Sequence, residues 1–285
     1  MQNSAAYKSR ELQLRGRIMM TWQDIVDSVG EAARQFSTLQ DNLVFRGQSA
    51  ESWKLVPWLG RLDSSSVDVG EDYHGNKMTY LQHLENVFYY SLQTQGGHLL
   101  PRNPKPWEIL FLMRHYGFPT RLLDWSRSFG VALYFAIGRT FAQRHHPADE
   151  NGAIWILHPG GLNAEASSSR RDIVYYLDTD FPIGYEKYFA HHLGKEYGTF
   201  PHPVVCTLAD ASNERLRAQR GVFTLHRDLS TPLEEMFPLC VQKVVIPNYL
   251  FPEARQFLAL AGIDEASLFP DLSTLATFLI RHHIS

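Results

Sequence analysis

"TRLLDWSRSFGVALYFA", Thr120 to Ala136, decides how the rest of the chain is read. It passes from Leu122-Leu123 through Asp124-Trp125-Ser126-Arg127-Ser128 into a second apolar run, Val131 to Ala136. Two hydroxyls, a carboxylate and two guanidiniums (Arg121 and Arg127) thus stand between two segments that belong in a core. Ser126 and Ser128 alternate, so on a strand both would point to one face. Ser128 also suits the N-cap of a helix carrying Val131, Ala132, Phe135 and Ala136. A capped helix start accounts for Ser128 but not for Ser126, Asp124 or Trp125. The other reading makes the stretch one wall of an active site.

Toward the N-terminus, residues 1–20 read as a loosely ordered arm. Thr21 caps a predicted helix, "WQDIVDSVGEAARQF", with Trp22, Ile25, Val26, Val29 and Ala33 at helical spacing. "NLVFRGQ" is a short strand that breaks at Gly47, and a loop rich in Ser, Gly and Asp follows. A helical pattern resumes over 77–93, "GGHLLPRNPKP" breaks it, and "WEILFLMRHYG" forms the next helix, closed by Gly117.

Beyond the quoted stretch, "GAIWILHP" reads as a buried strand, and 160–203 as a polar, aromatic insertion or mobile substrate loop. "PVVCTL", "GVFTLH" and "CVQKVVIP" are three further strands, and "FPEARQFLALAG" and "LSTLATFLIRHH" close the chain. Helices come mostly early and strands mostly late, which predicts an α+β fold. Residues 21–285 are read as one domain after the arm.

The composition fits a globular chain of 285 residues: 44% hydrophobic, 20% charged, net charge −3 and pI near 6.5. No global pull toward nucleic acid or anionic membrane follows, although a local basic groove is compatible with it. Cys206 and Cys240 lie far apart in apolar contexts and read as buried free thiols, not a disulfide or zinc site. With no apolar leader and no run long enough to cross a bilayer, a cytoplasmic location without membrane contact is expected.

The chain carries no G-x-S-x-G elbow, P-loop, H-E-x-x-H or dinucleotide-binding glycine triplet. His192 and Glu196 have metal-pair spacing, but no third ligand is marked, so a surface pair and no metal are expected. A dispersed polar set remains. Arg46 ends a strand beside Gly47, where a ligand can approach the backbone, and Gln48; arginine suits bidentate contact with phosphate or carboxylate. Asn213, Glu214 and Gln219 lead into a strand after Gly221, where an amide or carboxylate can hold a ribose hydroxyl or orient a nucleophile.

These segments together resemble the FRG-domain family, through Phe45-Arg46-Gly47, "LVPWLGR", "RHYGFPTRLLDWSRSFGVALYFA", "AQRGVFT" and "ASLFPDLSTLA". The order of motifs is similar to that of ADP-ribosyltransferases. The resemblance implies a split β-sheet core with an N-terminal helical region. It also implies NAD as the substrate, with no metal. Arg46 would bind NAD phosphate or ribose, with Arg121 helping to meet the pyrophosphate; Ser126 and Ser128 would shape the nicotinamide pocket; Tyr134 or Trp125 would stack on the ring. His115 and Asp124 would lie near the same pocket. The transferase pattern wants a glutamate at the third position, where this chain has Gln219, with Glu214 five residues earlier.

Two readings of function follow. One is an NAD-dependent ADP-ribosyltransferase or NAD glycohydrolase, a toxin or anti-phage effector with a protein or nucleic-acid acceptor and a neutralising partner. Arg170 and Arg171 would then belong to its target-recognition loop. The other is a sensor that binds a nucleotide or nucleic acid without turnover, which the glutamine at position 219 favours.

Overall fold

A computed structural model describes residues 20–39, 42–62, 80–138, 150–168, 174–176, 202–208 and 214–284. The N-terminal arm, most of the 160–203 segment, Arg170, Arg171, the His192–Glu196 pair and Asn213 lie outside the described residues.

In chain order the elements are α1 (Trp22–Gln35), β1 (Val44–Gln48), α2 (Tyr80–Gln95), α3 (Pro106–His115), β2 (Leu122–Ser126) and α4 (Phe129–Ile137). They continue with β3 (Gly152–Leu157), α5 (Pro159–Ala166), β4 (Tyr175–Tyr176), β5 (Val204–Leu208), α6 (Glu214–Ala218) and β6 (Gly221–His226). The last are α7 (Leu233–Met236), β7 (Val241–Ile246), α8 (Phe251–Leu260), α9 (Glu265–Leu268) and α10 (Leu272–Ile284). The fold is α+β, as expected. Helices and strands interleave along the chain, however, and do not fall into a helical half and a strand half.

The strands form one sheet in the order β4-β5-β6-β2-β1-β3-β7, antiparallel except for the short β4–β5 pair. Three apolar clusters hold it. Phe45, Ile154, Ile156 and Ile246 pack against α1, α4 and α8; Leu122, Phe223 and Leu225 pack against residues of α2 and α3. Val44, Leu123, Trp125, Trp155 and Val222 form the third, with Cys206 and Cys240, which are buried thiols outside any disulfide, as expected.

Local signals in the sequence explain the ends of several elements. Thr21 and Asp24 close a capping box at the start of α1. Gly117, at φ +81°, takes the left-handed conformation that ends α3, where the glycine was expected. Gly47 borders the cleft that opens at Arg46 and also has a packing use that its sequence did not suggest. A Cβ there would lie 1.8 Å from the Ala132 carbonyl oxygen and 2.7 Å from the Ala136 nitrogen, so the missing side chain lets the α4 backbone settle on β1.

β1 and β2 part almost as soon as they meet. They pair at Phe45 with Ser126, whereas β1 stays paired with β3 from Val44–Leu157 to Gln48–Ala153. β2 likewise stays paired with β6 along its length. The two halves of the sheet diverge at Arg46, and the cleft described next opens there.

Candidate functional site: an arginine-lined cleft where the sheet parts

Arg46 fills the gap that the parting leaves. Its Nη1 donates 2.7 Å to the backbone carbonyl of Asp124, a β2 group that β1 does not pair with. The same guanidinium lies 3.6 Å from the Asp124 carboxylate. From the end of α3, Arg114 grips that carboxylate through Nε, at 2.8 and 2.9 Å to its two oxygens, and again through Nη2. This is the planar fork geometry that arginine makes with carboxylates.

Burial pushes the Asp124 carboxyl up, but Arg114, its hydrogen bonds, Arg46 and Arg215 override that and hold it down at about 2. Asp124 is therefore ionised at neutral pH. Burial draws the Arg46 guanidinium down to about 10, against the pull of Asp124, and leaves it charged.

A cleft of about 760 Å³ opens around this pair. Among the described residues four arginines line it, Arg46, Arg61, Arg114 and Arg215, against two carboxylates, Asp124 and Glu265. Aromatic groups stand on separate walls. Trp53 and Trp58, both exposed, come from the loop after β1, while Phe135 of α4 meets Phe269 edge-on at 6.1 Å. The Arg215 guanidinium sits 4.5 Å over the Phe269 ring. Positive charge between aromatic surfaces suits an anion that carries planar rings.

The expected site residues divide. Arg46, Asp124, Ser126 and Gln219 converge on the cleft. Ser126 Oγ donates 2.7 Å to the Gln219 carbonyl and accepts from the Ser128 amide at 3.0 Å, so it pins the turn that carries Gln219. Gln219 Nε2 in turn donates 3.1 Å to the Leu268 carbonyl. His115 lines an adjoining hollow of 420 Å³ that shares Arg114, Asp124, Arg215 and Gln219 with the cleft. Burial and Arg215 lower its imidazole pKa, which favours the neutral ring.

Other expectations are corrected. Arg121 does not face the cleft: it is buried against Glu85 in a full ion pair, with Nε 2.5 Å from a carboxylate oxygen. Trp125 borders the cleft, but it is buried: its ring packs in the core and Nε1 donates 3.0 Å to Thr224 Oγ1, so it is not the open stacking surface expected. Tyr134 lines a separate cavity of 640 Å³, where burial and Glu265 push its hydroxyl up to about 12.

Ser128 is the N-cap of α4, accepting from the Val131 amide; β2 ends at Ser126, so there is no Ser-x-Ser strand. Gln48 borders the cleft, but its amide oxygen accepts from Trp155 at 2.7 Å and its nitrogen donates to the Lys54 carbonyl. Glu214 opens α6 and is exposed, and unlike its neighbour Arg215 it is not among the residues that line the cleft.

Sequence reading passed over Arg61, Arg114, Arg215, Glu265 and the two tryptophans. Arg114 carried a signal, closing "LFLMRHYG" one short loop before Asp124, and Trp58 and Arg61 stand in the "LVPWLGR" motif. The others depend on tertiary placement.

The family model of the FRG domain matches residues 41–145, from just before β1 to just past α4. The chain carries an FRG domain. The match contains Arg46, Arg61, Arg114 and Asp124, so the FRG region supplies most of the charged lining of the cleft. Arg215, Gln219, Glu265 and Phe269 come from the chain after it. No curated protein and no solved structure matches the chain. Among the described residues there is no cluster of metal-ligating side chains, and no helix is long and apolar enough to cross a membrane.

Proposed function

We propose that the cleft binds a dinucleotide of the NAD class and that the chain is an NAD-dependent ADP-ribosyltransferase or NAD glycohydrolase. The observation that carries this reading is the parting of β1 and β2 at Arg46, with four arginines and several aromatic rings lining the opening. A volume of about 760 Å³ falls in the range of small-molecule and cofactor sites. A pyrophosphate matches the arginines, and rings at its two ends match the aromatic walls.

In the proposed reaction the bond from ribose C1′ to the nicotinamide nitrogen breaks, and its electron pair leaves on the nicotinamide. Water or a macromolecular nucleophile bonds C1′ and gives up a proton. The clamped, ionised Asp124 holds Arg46 and Arg114 in register for the phosphates, so their geometry is set before the ligand arrives.

One observation favours the second reading, a sensor without turnover. The sequence resemblance puts Gln219 where a transferase would have a glutamate, and both Asp124 oxygens are taken by Arg114. Incubating the purified chain with NAD and following nicotinamide release separates the two. Release that disappears in Arg46→Ala supports the enzyme. Binding without release, seen as an NAD-dependent rise in melting temperature, supports the sensor. Neither response would refute both.

A further inference from the structure

The charged groups that face the cleft are mostly hydrogen-bond donors, four arginines against two carboxylates. Arginine has five N–H donors and no acceptor, and Asp124 spends its carboxylate on Arg114 and Arg46. A nucleotide's sugar hydroxyls can accept from these donors, but each also carries a proton that is best met by a charged acceptor. Among the described residues lining the cleft, the one other carboxylate is Glu265, the first residue of α9.

Glu265 is well placed for that task. It is the one described residue that borders both the cleft and the neighbouring 640 Å³ cavity. Arg281 of α10 holds its Oε2 at 3.1 Å from the cavity side, and the Glu265 side chain is only 17% exposed. The anchor leaves Oε1 to accept from a ligand. α9 is itself tied to the cleft by the Gln219 Nε2 bond to Leu268, so Glu265 and Gln219 are held on one wall.

We propose that Glu265 is the ribose-binding carboxylate of the cleft, accepting from a sugar hydroxyl while Arg281 fixes its direction. This inference rests on the nucleotide reading above. It narrows the ligand to ribonucleotides over their deoxy counterparts, and it holds for the enzyme and the sensor alike. In this arrangement Arg281 is a positioning residue, acting through Glu265 without touching the ligand.

Isothermal titration of the full chain tests it, using NAD and two analogues that each lack the 2′-hydroxyl of one ribose. The wild type should bind NAD roughly 10- to 100-fold more tightly than one of the analogues, the usual worth of a hydrogen bond to a charged group. Glu265→Ala should bind NAD and that analogue equally, and Glu265→Gln should keep only part of the preference. Circular dichroism and melting temperature should stay close to wild type, since α9 is short and at the surface.

Discrimination unchanged in both variants would overturn the inference and leave the nucleotide reading intact, as would a wild type that binds all three ligands alike. A wild type that binds none of them would sink the nucleotide reading, and this inference with it.

Discussion

Two arginine–carboxylate pairs arise from neighbouring stretches of this chain and end in opposite environments. Arg121 and Glu85 form an ion pair sealed in the core, with side chains 1% and 0% exposed. Asp124, three residues after Arg121, pairs with Arg114 and Arg46 at the mouth of a cleft, with 41% of its side chain exposed. The sealed pair is tied further into the core: Glu85 also accepts from the Arg121 amide, and Arg121 Nη1 donates to the His226 carbonyl. Asp124 instead holds its arginines in place while leaving them open to a ligand. The same residue types serve the fold in one place and a site in the other, and access to solvent is the difference.

The largest effects should come from breaking the sealed pair. Arg121→Ala leaves Glu85 buried without its cation and should cost about 3–5 kcal/mol of stability. Replacing both partners by apolar residues, as in Arg121→Met with Glu85→Leu, should cost much less than either single change. Denaturant melts of the three variants check this, and a double variant as unstable as the singles would contradict it.

The second effect separates the regions by pH. Burial first, then Arg46 and Arg121, pull the neighbouring His226 imidazole down to about 3 from 6.5, with Asp228 opposing. The folded protein keeps it neutral while the unfolded chain takes up a proton below pH 6.5, so stability falls as pH drops from 6.5 toward 3. The slope approaches about 1.4 kcal/mol per pH unit. His226→Gln should flatten that limb in a series of melts across pH.

Asp124 acts lower on the scale. Its folded value of about 2 lies below the ordinary 3.8, so its contribution is present above 3.8 and lost as pH falls through about 2. Asp124→Asn should cost only about 1 kcal/mol at pH 7, because solvent screens a pair this exposed. It should weaken NAD binding far more than it lowers the melting temperature, since it frees Arg46 and Arg114 from their fixed positions. Equal losses in both would make Asp124 structural, like Glu85.

The smallest effect is expected at Glu214, exposed at the start of α6. Glu214→Ala should shift stability by less than about 0.5 kcal/mol and leave NAD binding unchanged. Lost binding would reopen its role beside Gln219.

What the sequence made legible follows the same division. Strands such as "GAIWIL" and "GVFTLH", the Thr21 cap and the Gly117 stop were readable because periodicity and caps are local. Arg46 and Asp124 were readable because polar groups interrupt apolar runs there. Arg121 misled for the same reason, since nothing local says that Glu85, 36 residues away, will neutralise it. Trp125 misled because strand alternation packs its ring into the core, so it borders the cleft with almost no exposed surface, while the Asp124 carboxylate stays 41% exposed. Glu265 and Arg215 are invisible without the tertiary fold, which brings α6 and α9 beside β2 from far along the chain.

The central claim is that the parting of β1 and β2 at Arg46 makes an anion-binding cleft for a dinucleotide. Calorimetric titration of NAD into the wild type and Arg46→Ala tests it most directly, with circular dichroism on both. The account predicts saturable binding to the wild type and at least roughly tenfold weaker binding to a folded Arg46→Ala. Equal affinity in the two proteins, or no binding to the wild type, would contradict it.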